Sequence, residues 1–281
     1  MRMDNMNATG KIRELPVRRV GQWNPEWVNG ALRSSVVAKT QGNCGQTAFG
    51  RNWSLMGEIR DKCLAQLASA HRPVRVLDVG IGDEPYPEAY ELRHLFTKAS
   101  VDHHISVMDI RREALLGLMR QRRLKISPAK LSHYEVPPTY YETFLGRTFV
   151  REGSRLGMNI PKSAWKGIRF YHGDIATGQL PGRQFDLIVC LNVFMYLNNK
   201  LSELAMFNLA QSLRRGGILI TEGLTEKGVK SYESLGANFM PWFSSSRLAE
   251  LGFKVLHGPL SNNFIDMTPI QYYHVFALQR I

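Results

Sequence analysis

Residues Phe185 to Leu191 read FDLIVCL, a run in which Asp186 is the only polar residue. A strand that is apolar on both faces needs cover on both sides, which a parallel sheet flanked by helices supplies. A sheet with one face in water would instead alternate polar and apolar residues. The run therefore predicts a buried central strand of a parallel sheet.

Strand and helix patterns alternate along the chain. The predicted strands are Val74–Val79, Ile105–Asp109, Ile168–His172, Phe185–Leu191 and Ile218–Thr221. The predicted helices are Trp53–Ala70, Glu84–Lys98, Arg112–Arg122 and Asn199–Arg214. We expect Gly216 and Gly217 to end the last of these helices, because glycine adopts the left-handed conformation of a helix C′ position. This order predicts a doubly wound α/β fold.

The chain closes with a helix pattern at Ser244–Leu251 and strand patterns at Phe253–His257 and Tyr272–Leu278. No helix pattern separates the two strands, which predicts a terminal antiparallel hairpin on a mostly parallel, seven-stranded sheet. The stretch from about 126 to 166, after strand two, is too long for an ordinary connection and predicts a small insertion or lid. Residues 1–44 are expected to be an N-terminal extension or cap, and 45–281 the main domain.

Composition narrows the class of protein. A chain of 281 residues that is 44% hydrophobic can bury one large core. It has no apolar run of the roughly 18 residues that cross a membrane, and its three cysteines show no metal or disulfide spacing. We therefore expect a cytoplasmic protein with no metal and no membrane partner.

The net charge of +12 raises the question of nucleic acid. Residues 111–130 hold seven basic side chains against the single acid Glu113. The cluster contains no interleaved aromatic residues and no known nucleic-acid-binding motif, so a nucleic-acid partner is disfavoured. A solvated basic helix, or one that attracts an anionic ligand, is the preferred interpretation.

The loop after strand one carries two glycines, Gly80 and Gly82, that allow a tight turn and a close approach to a ligand. Two glycines that merely form a turn are the simpler alternative. The third glycine of a dinucleotide fingerprint is replaced by Asp83, Glu84 and Pro85. Carboxylates repel a pyrophosphate but attract a cation, so S-adenosylmethionine, with its sulfonium and ammonium groups, is the predicted ligand.

Polar residues also follow the next three strands. Asp109 ends strand two, where an acid can bind a ribose diol, although it can instead cap the following helix. Asp174 follows strand three, within reach of an adenine amine, or is a solvent-facing turn residue. Asn192 follows strand four. Ligands of open α/β sheets bind at the carboxyl ends of the strands, so one shared cleft explains all of these residues.

Several short stretches together resemble the catalytic domain of the chemotaxis receptor methyltransferase (CheR) family. They are TAFGR at Thr47–Arg51, GDEPY at Gly82–Tyr86, DI at Asp109–Ile110, CLNVFMY at Cys190–Tyr196 and GGIL at Gly216–Leu219. Their order and approximate spacing match the family from about residue 45 to 226. The resemblance implies a Rossmann-like class I methyltransferase fold, with the insertion standing where the family carries a small receptor-contacting β subdomain.

The same resemblance implies site residues. The implied cofactor contacts are Thr47, Arg51, Glu84, Asp109, Ile110, Asp174, Ile175, Asn192 and Val193. Arg51 and Tyr196 are implied to line the place of methyl transfer. The chain departs from the family at Leu191, where an Arg is usual, and at Gly50, where an aromatic is usual. The family's N-terminal helical domain is not recognisable in residues 1–40, and about 50 residues after Glu226 have no close counterpart.

These features predict an S-adenosylmethionine-dependent enzyme that methylates a small molecule, with a carboxylate as the favoured acceptor. Arg51 can position a carboxylate with both guanidinium nitrogens, or it can form an ion pair with Glu84 or Glu58. One alternative is methylation of glutamate side chains on a protein substrate. Another is attack on the aminobutyrate arm of S-adenosylmethionine itself, with release of methylthioadenosine. A binding module without catalysis is the remaining alternative. Cys190 and His172 are expected to be structural.

Overall fold

The computed structural model describes residues 12–15, 63–69, 72–81, 88–126, 128, 149–160, 165–178, 180–182, 184–191, 193–194, 197, 199–224, 245–261 and 273–281. The strands are β1 (Arg13–Glu14), β2 (Val74–Val79), β3 (His103–Asp109), β4 (Arg123–Ile126), β5 (Val150–Glu152), β6 (Arg155–Asn159), β7 (Arg169–His172), β8 (Phe185–Cys190), β9 (Leu213–Leu224), β10 (Phe253–Ser261) and β11 (Tyr273–Arg280). The helices are α1 (63–68), α2 (Glu88–Lys98), α3 (Arg112–Arg120), α4 (Asn199–Ser212) and α5 (Ser245–Glu250).

The main sheet has the strand order β1-β7-β3-β2-β8-β9-β11-β10. Neighbouring strands from β1 to β9 in this order are parallel, whereas β11 runs antiparallel to both β9 and β10. This arrangement confirms the mostly parallel sheet with a terminal antiparallel hairpin. The two-residue strand β1 adds an eighth strand at the edge, which the sequence analysis did not predict.

The central strand β8 is buried along its whole length, as its apolar run predicts. Leu187 and Val189 belong to one hydrophobic cluster, and Ile188 and Cys190 belong to another. Successive side chains of a strand point to opposite faces, so the sheet carries a core on each side. These two layers fix the carboxyl ends of the parallel strands along one edge.

The predicted end of helix α4 was wrong. The helix ends at Ser212, and β9 begins at the next residue. Gly216 has a φ of 77°, and it lies within β9 where the pairing with β8 slips between Phe185 and Leu187. The left-handed glycine serves a strand irregularity here, because the chain must add residues to β9 while β8 continues without a break.

The insertion after β3 forms a second, three-stranded antiparallel sheet in the order β4-β6-β5. Leu124 and Met158 lie on one face and are buried in the main core. The register places Arg123, Lys125 and Arg155 on the opposite, exposed face. The small sheet therefore has one apolar face anchored to the domain and one basic face. No helix in the described part of the chain is long and apolar enough to span a membrane.

Candidate functional site

Six of the predicted site residues belong to the part of the chain that can be placed. They are Gly80, Asp109, Ile110, Asp174, Ile175 and Val193. All six follow or end the adjacent strands β7, β3, β2 and β8 at their carboxyl ends. The other predicted site residues, Thr47, Arg51, Gly82, Glu84, Asn192 and Tyr196, lie outside the described residues.

Gly80 sits at the turn that leaves β2. Its φ is 75°, in the left-handed region, and its N–H donates to the carbonyl of Met108 at 2.8 Å. A Cβ added at this position would overlap the Cγ2 atom of Val193, which follows β8. Both the backbone conformation and the close approach require glycine. The turn after β2 is therefore packed directly against the segment after β8.

Asp78, near the end of β2, is a second feature of this region and was not predicted from the sequence. The side chain is only 1% exposed, and its Oδ2 atom accepts from the backbone N–H of Ala89 at 2.9 Å. Ala89 lies in the first turn of α2, whose free N–H groups need acceptors. Asp78 thus ties the start of α2 to strand β2. An acid among the apolar residues Val76 to Val79 of β2 was the available signal.

Asp109 ends β3 and is 4% exposed. Its Oδ1 atom accepts from the backbone N–H of Arg111 at 2.7 Å, which closes an Asx turn. No side chain caps helix α3, whose N-cap residue is Arg111. The Asp109 carbonyl also accepts from Gly173 N–H at 3.1 Å, which joins the ends of β3 and β7. The carboxylate is thus oriented by the chain that follows it rather than used as a helix cap.

Asp174 precedes a short 3₁₀ turn, Ile175–Thr177. Its Oδ1 atom accepts from the backbone N–H of Ala176 at 2.8 Å. The residue is 9% exposed, so it is a turn aspartate as the alternative interpretation predicted, but it does not face solvent. Gly178 ends the turn in the left-handed conformation. A backbone amide orients a carboxylate without adding an opposing full charge.

His172 joins this edge of the sheet to the N-terminal segment. Its Nε2 atom lies 2.9 Å from the carbonyl of Ile110, and its Nδ1 atom contacts the carboxylate of Glu14. Glu14 also lies 3.3 Å from the Nε atom of Arg112. This bridge could not be predicted from local pattern, because it depends on β1 pairing beside β7. His172 therefore links β1 to the loop after β3.

The described part of this edge fits S-adenosylmethionine. The glycine turn lets the end of β2 pack against the segment after β8, and two buried carboxylates stand at neighbouring strand ends. Carboxylates accept hydrogen bonds from ribose hydroxyls and an adenine amine and favour a cationic ligand. Among the placed residues, no group of three or more His, Cys, Asp or Glu residues is arranged to hold a metal ion.

Comparison with known proteins gives one family match and a set of distant structural likenesses. A family model described as "CheR methyltransferase, SAM binding domain" matches residues 46–234. A TehB-like SAM-dependent methyltransferase from Corynebacterium glutamicum is 14% identical, with 87% of this chain and 100% of that chain covered and a TM-score of 0.44. Magnesium protoporphyrin IX methyltransferase from Synechocystis is 14% identical, with 82% and 84% covered and a TM-score of 0.46. The N-methyltransferase NodS from Bradyrhizobium japonicum is 13% identical, with 89% and 99% covered and a TM-score of 0.43.

Proposed function

Because the chain belongs to the CheR methyltransferase family and carries its S-adenosylmethionine-binding domain, we propose that it methylates a small molecule at a carboxylate. The family membership makes it an S-adenosylmethionine-dependent methyltransferase. The identity of the acceptor is our proposal. The observation that carries the cofactor placement is the pair of buried carboxylates, Asp109 and Asp174, beside the glycine turn at Gly80.

We assign the two carboxylates to different parts of the cofactor. In this proposal Asp109 accepts hydrogen bonds from the ribose hydroxyls, and Asp174 accepts one from the exocyclic amine of adenine. Ile110, Ile175 and Val193 lie beside these groups along the same edge. The family pattern adds Thr47, Arg51, Gly82, Glu84 and Asn192 as further proposed contacts. The methionine end would then lie toward the acidic loop after β2, whose charge favours its ammonium group.

In the proposed reaction the main task of the protein is to orient the acceptor toward the methyl group of the cofactor. When bound, S-adenosylmethionine supplies a methyl group on a positively charged sulfur, which is already activated for displacement. Arg51 would hold the acceptor carboxylate through both of its oxygens, and Tyr196 would line the same place. A carboxylate carries its own negative charge at neutral pH, so this acceptor needs no general base.

A departure from the family pattern supports an acceptor that differs from that of the family. Leu191 stands where the family usually has an Arg, and it is 3% exposed within the core cluster that contains Leu187 and Val189. A buried leucine offers no charge to a substrate, so recognition at this position differs from the family pattern. Gly50, which replaces an aromatic residue next to Arg51 in the sequence, is a second departure from the family pattern.

Methylation of protein glutamate is the second candidate, and the basic face of the insertion favours it. Arg123, Lys125 and Arg155 share that face, where Glu152 contacts Arg123 and lies 3.8 Å from the Nζ atom of Lys125. Three cations against one acid leave a positive surface that suits an acidic protein segment. Both candidates present a carboxylate to the same cofactor, so the experiment must distinguish the size of the acceptor.

The test is to incubate the purified protein with S-adenosylmethionine alone and with a panel of small carboxylic acids, and to identify the products by mass spectrometry. We expect S-adenosylhomocysteine and a methyl ester only when a small acid is present. Methylthioadenosine without any acceptor would show attack on the aminobutyrate arm instead. Methyl esters formed only on added acidic proteins would favour the second candidate. The Gly80→Ala variant serves as the control with an obstructed cofactor turn.

A further inference from the structure

Helix α4 buries three polar side chains, Ser202, Asn208 and Ser212, and Asn208 lies among apolar residues of the buried face. The residue is 4% exposed, and its neighbours on that face, Leu201, Ala205 and Leu209, are apolar and buried. The Nδ2 atom of Asn208 donates to the carbonyl of Ile175 at 2.7 Å and lies 3.4 Å from the carbonyl of Ala176. Burying a carboxamide costs free energy unless its polar atoms are hydrogen-bonded. The bonds to Ile175 and Ala176 therefore explain why a polar residue occupies this buried position.

The partners of Asn208 belong to the 3₁₀ turn after β7. In that turn the Asp174 carboxylate accepts from Ala176 N–H, and the Asp174 carbonyl accepts from the hydroxyl of Thr177 at 3.1 Å. The next two carbonyls, of Ile175 and Ala176, face the carboxamide of Asn208. The turn is thus satisfied by its own residues on one side and by helix α4 on the other. Movement of the turn would move the backbone that aims the Asp174 carboxylate.

We propose that Asn208 is a positioning residue for adenine recognition. It holds the carbonyls of Ile175 and Ala176, and through that turn it sets the direction of the Asp174 carboxylate. This inference rests on the cofactor placement proposed above, with Asp174 facing the exocyclic amine. Asn208 is buried behind the turn, so in this proposal it acts through the turn and its effect is confined to how well the adenine ring is recognised.

A positioning role and a merely structural role predict different results. Loss of a structural contact lowers stability and weakens every ligand of the fold to a similar degree. Loss of a residue that aims Asp174 weakens ligands with the exocyclic amine more than ligands without it. S-Adenosylhomocysteine and its deaminated analogue, S-inosylhomocysteine, differ at that group and test the distinction directly.

The variants follow from the geometry. Asn208→Asp keeps the shape of the side chain but replaces the donating amide with an oxygen, which repels the two carbonyls. Asn208→Ala removes the donor without adding charge and is measured by the same criterion, so the test does not depend on one variant folding. Ser202→Ala is the matched control, because Ser202 is buried on the same helix and its hydroxyl has no hydrogen-bond partner among the described residues.

The measurement is the Kd of each ligand by calorimetry, together with the melting temperature of each variant. We expect Asn208→Asp to raise the Kd of S-adenosylhomocysteine about tenfold and that of S-inosylhomocysteine less than about twofold. Ser202→Ala should leave the ratio of the two constants unchanged. An equal loss for both ligands, an unchanged ratio in both Asn208 variants, or the same shift in Ser202→Ala would overturn the proposal. The experiment needs no acceptor, so a failure to find methyl transfer would count against the proposed function and not against this assignment.

Discussion

The parallel strands of the main sheet begin along one side, here called the amino edge, and end along the other, the carboxyl edge. Buried aspartates have different hydrogen-bond partners at these two edges. At the amino edge, Asp186 is fully buried and accepts from both terminal nitrogens of Arg72, at 2.6 and 3.0 Å, and from the backbone N–H of Arg75 at 2.9 Å. It also contacts the guanidinium of Arg214. At the carboxyl edge, Asp109 and Asp174 accept from the backbone N–H groups of Arg111 and Ala176, and the Nε atom of Arg111 lies 3.9 Å from Asp109.

This difference indicates that the buried aspartate at the amino edge contributes to stability, and that those at the carboxyl edge contribute to cofactor binding. Two guanidinium groups neutralise the charge of Asp186, so that carboxylate joins β8 to the neighbouring segments. Backbone amides orient Asp109 and Asp174, and the ion pair of Asp109 with Arg111, at 3.9 Å, is longer than the ion pairs of Asp186. A substitution at the amino edge should therefore change folding, and one at the carboxyl edge should change cofactor affinity.

The largest effect is expected at the amino edge. Asp186→Asn removes the charge that pairs with Arg72 and Arg214, and it should lower the free energy of unfolding by about 2–3 kcal/mol, since both arginines are partly exposed. Urea unfolding measures this change, with Glu203→Gln, an exposed partner of Arg247, as the control. The Kd of S-adenosylmethionine should stay within about twofold where the variant is folded. A raised Kd of S-adenosylmethionine with an unchanged free energy of unfolding would contradict the distinction between the two edges.

Gly80→Ala should act on both properties. The added methyl group overlaps Val193 and takes a φ of 75°, so the turn after β2 must move. We expect the Kd of S-adenosylmethionine to rise about thirtyfold and the free energy of unfolding to fall by about 1–2 kcal/mol. Gly117→Ala, where nothing lies within 4 Å of the added atom, is the matched control. Normal affinity in Gly80→Ala would mean that the cofactor does not depend on this turn.

Asp109→Asn isolates the charge at the carboxyl edge. An amide oxygen can still accept from Arg111 N–H, so the Asx turn is kept and the free energy of unfolding should change by less than about 0.5 kcal/mol. The Kd of S-adenosylmethionine should rise about tenfold, because hydrogen bonds to a charged acceptor are stronger. Calorimetric titration checks this against Glu113→Gln, an exposed acid on the next helix. Equal constants for the two variants would remove Asp109 from the proposed site.

The bridge from β1 should have a smaller effect. Glu14→Gln weakens the contact with His172, and we expect the Kd of S-adenosylmethionine to rise about twofold because Glu14 is 62% exposed. The same substitution in a His172→Gln background should have no further effect if the two residues act together. Additive effects in this double-mutant cycle would mean that Glu14 does not act through the loop after β3.

A pH effect is expected in α2, which connects the two edges. Burial, and secondarily the charge of Lys98, lower the pKa of His94 below its ordinary value. The unfolded chain then binds this proton more readily than the folded chain, so the contribution of His94 makes unfolding easier as the pH falls below about 6.5. Urea unfolding at several pH values should show a shallower acid loss in His94→Gln. An unchanged pH dependence in that variant would contradict the assignment.

The local pattern of apolar residues predicted the buried strands of the sheet. The bounds of β2 match the prediction, and β8 differs by one residue at its end. Gly216 and Gly217 show where local pattern fails, because a left-handed glycine suits a helix end and a strand irregularity equally well. The pairing of β9 with β8 decides between them, and that pairing is a long-range property.

The residues of the candidate site also fall into two groups, those predictable from local pattern and those that depend on long-range contacts. Asp109 and Asp174 were predictable because their places follow from the ends of strands. The contacts of His172 with Glu14 and of Asn208 with Ile175 were not predictable, since each joins segments far apart in sequence. Residues that support a site without contacting its ligand have no sequence motif, because many polar side chains can donate the same hydrogen bond.

Hydrogen–deuterium exchange with and without S-adenosylmethionine tests most directly whether the carboxyl edge is the cofactor site. We predict slower exchange in the peptides that contain Gly80, Ile110 and residues 174–178. Peptides that contain Val74 and Asp186, at the amino edge of the same strands, should exchange at an unchanged rate. Protection at the amino edge or in the insertion sheet, with none at the carboxyl ends of β2, β3 and β7, would contradict the account.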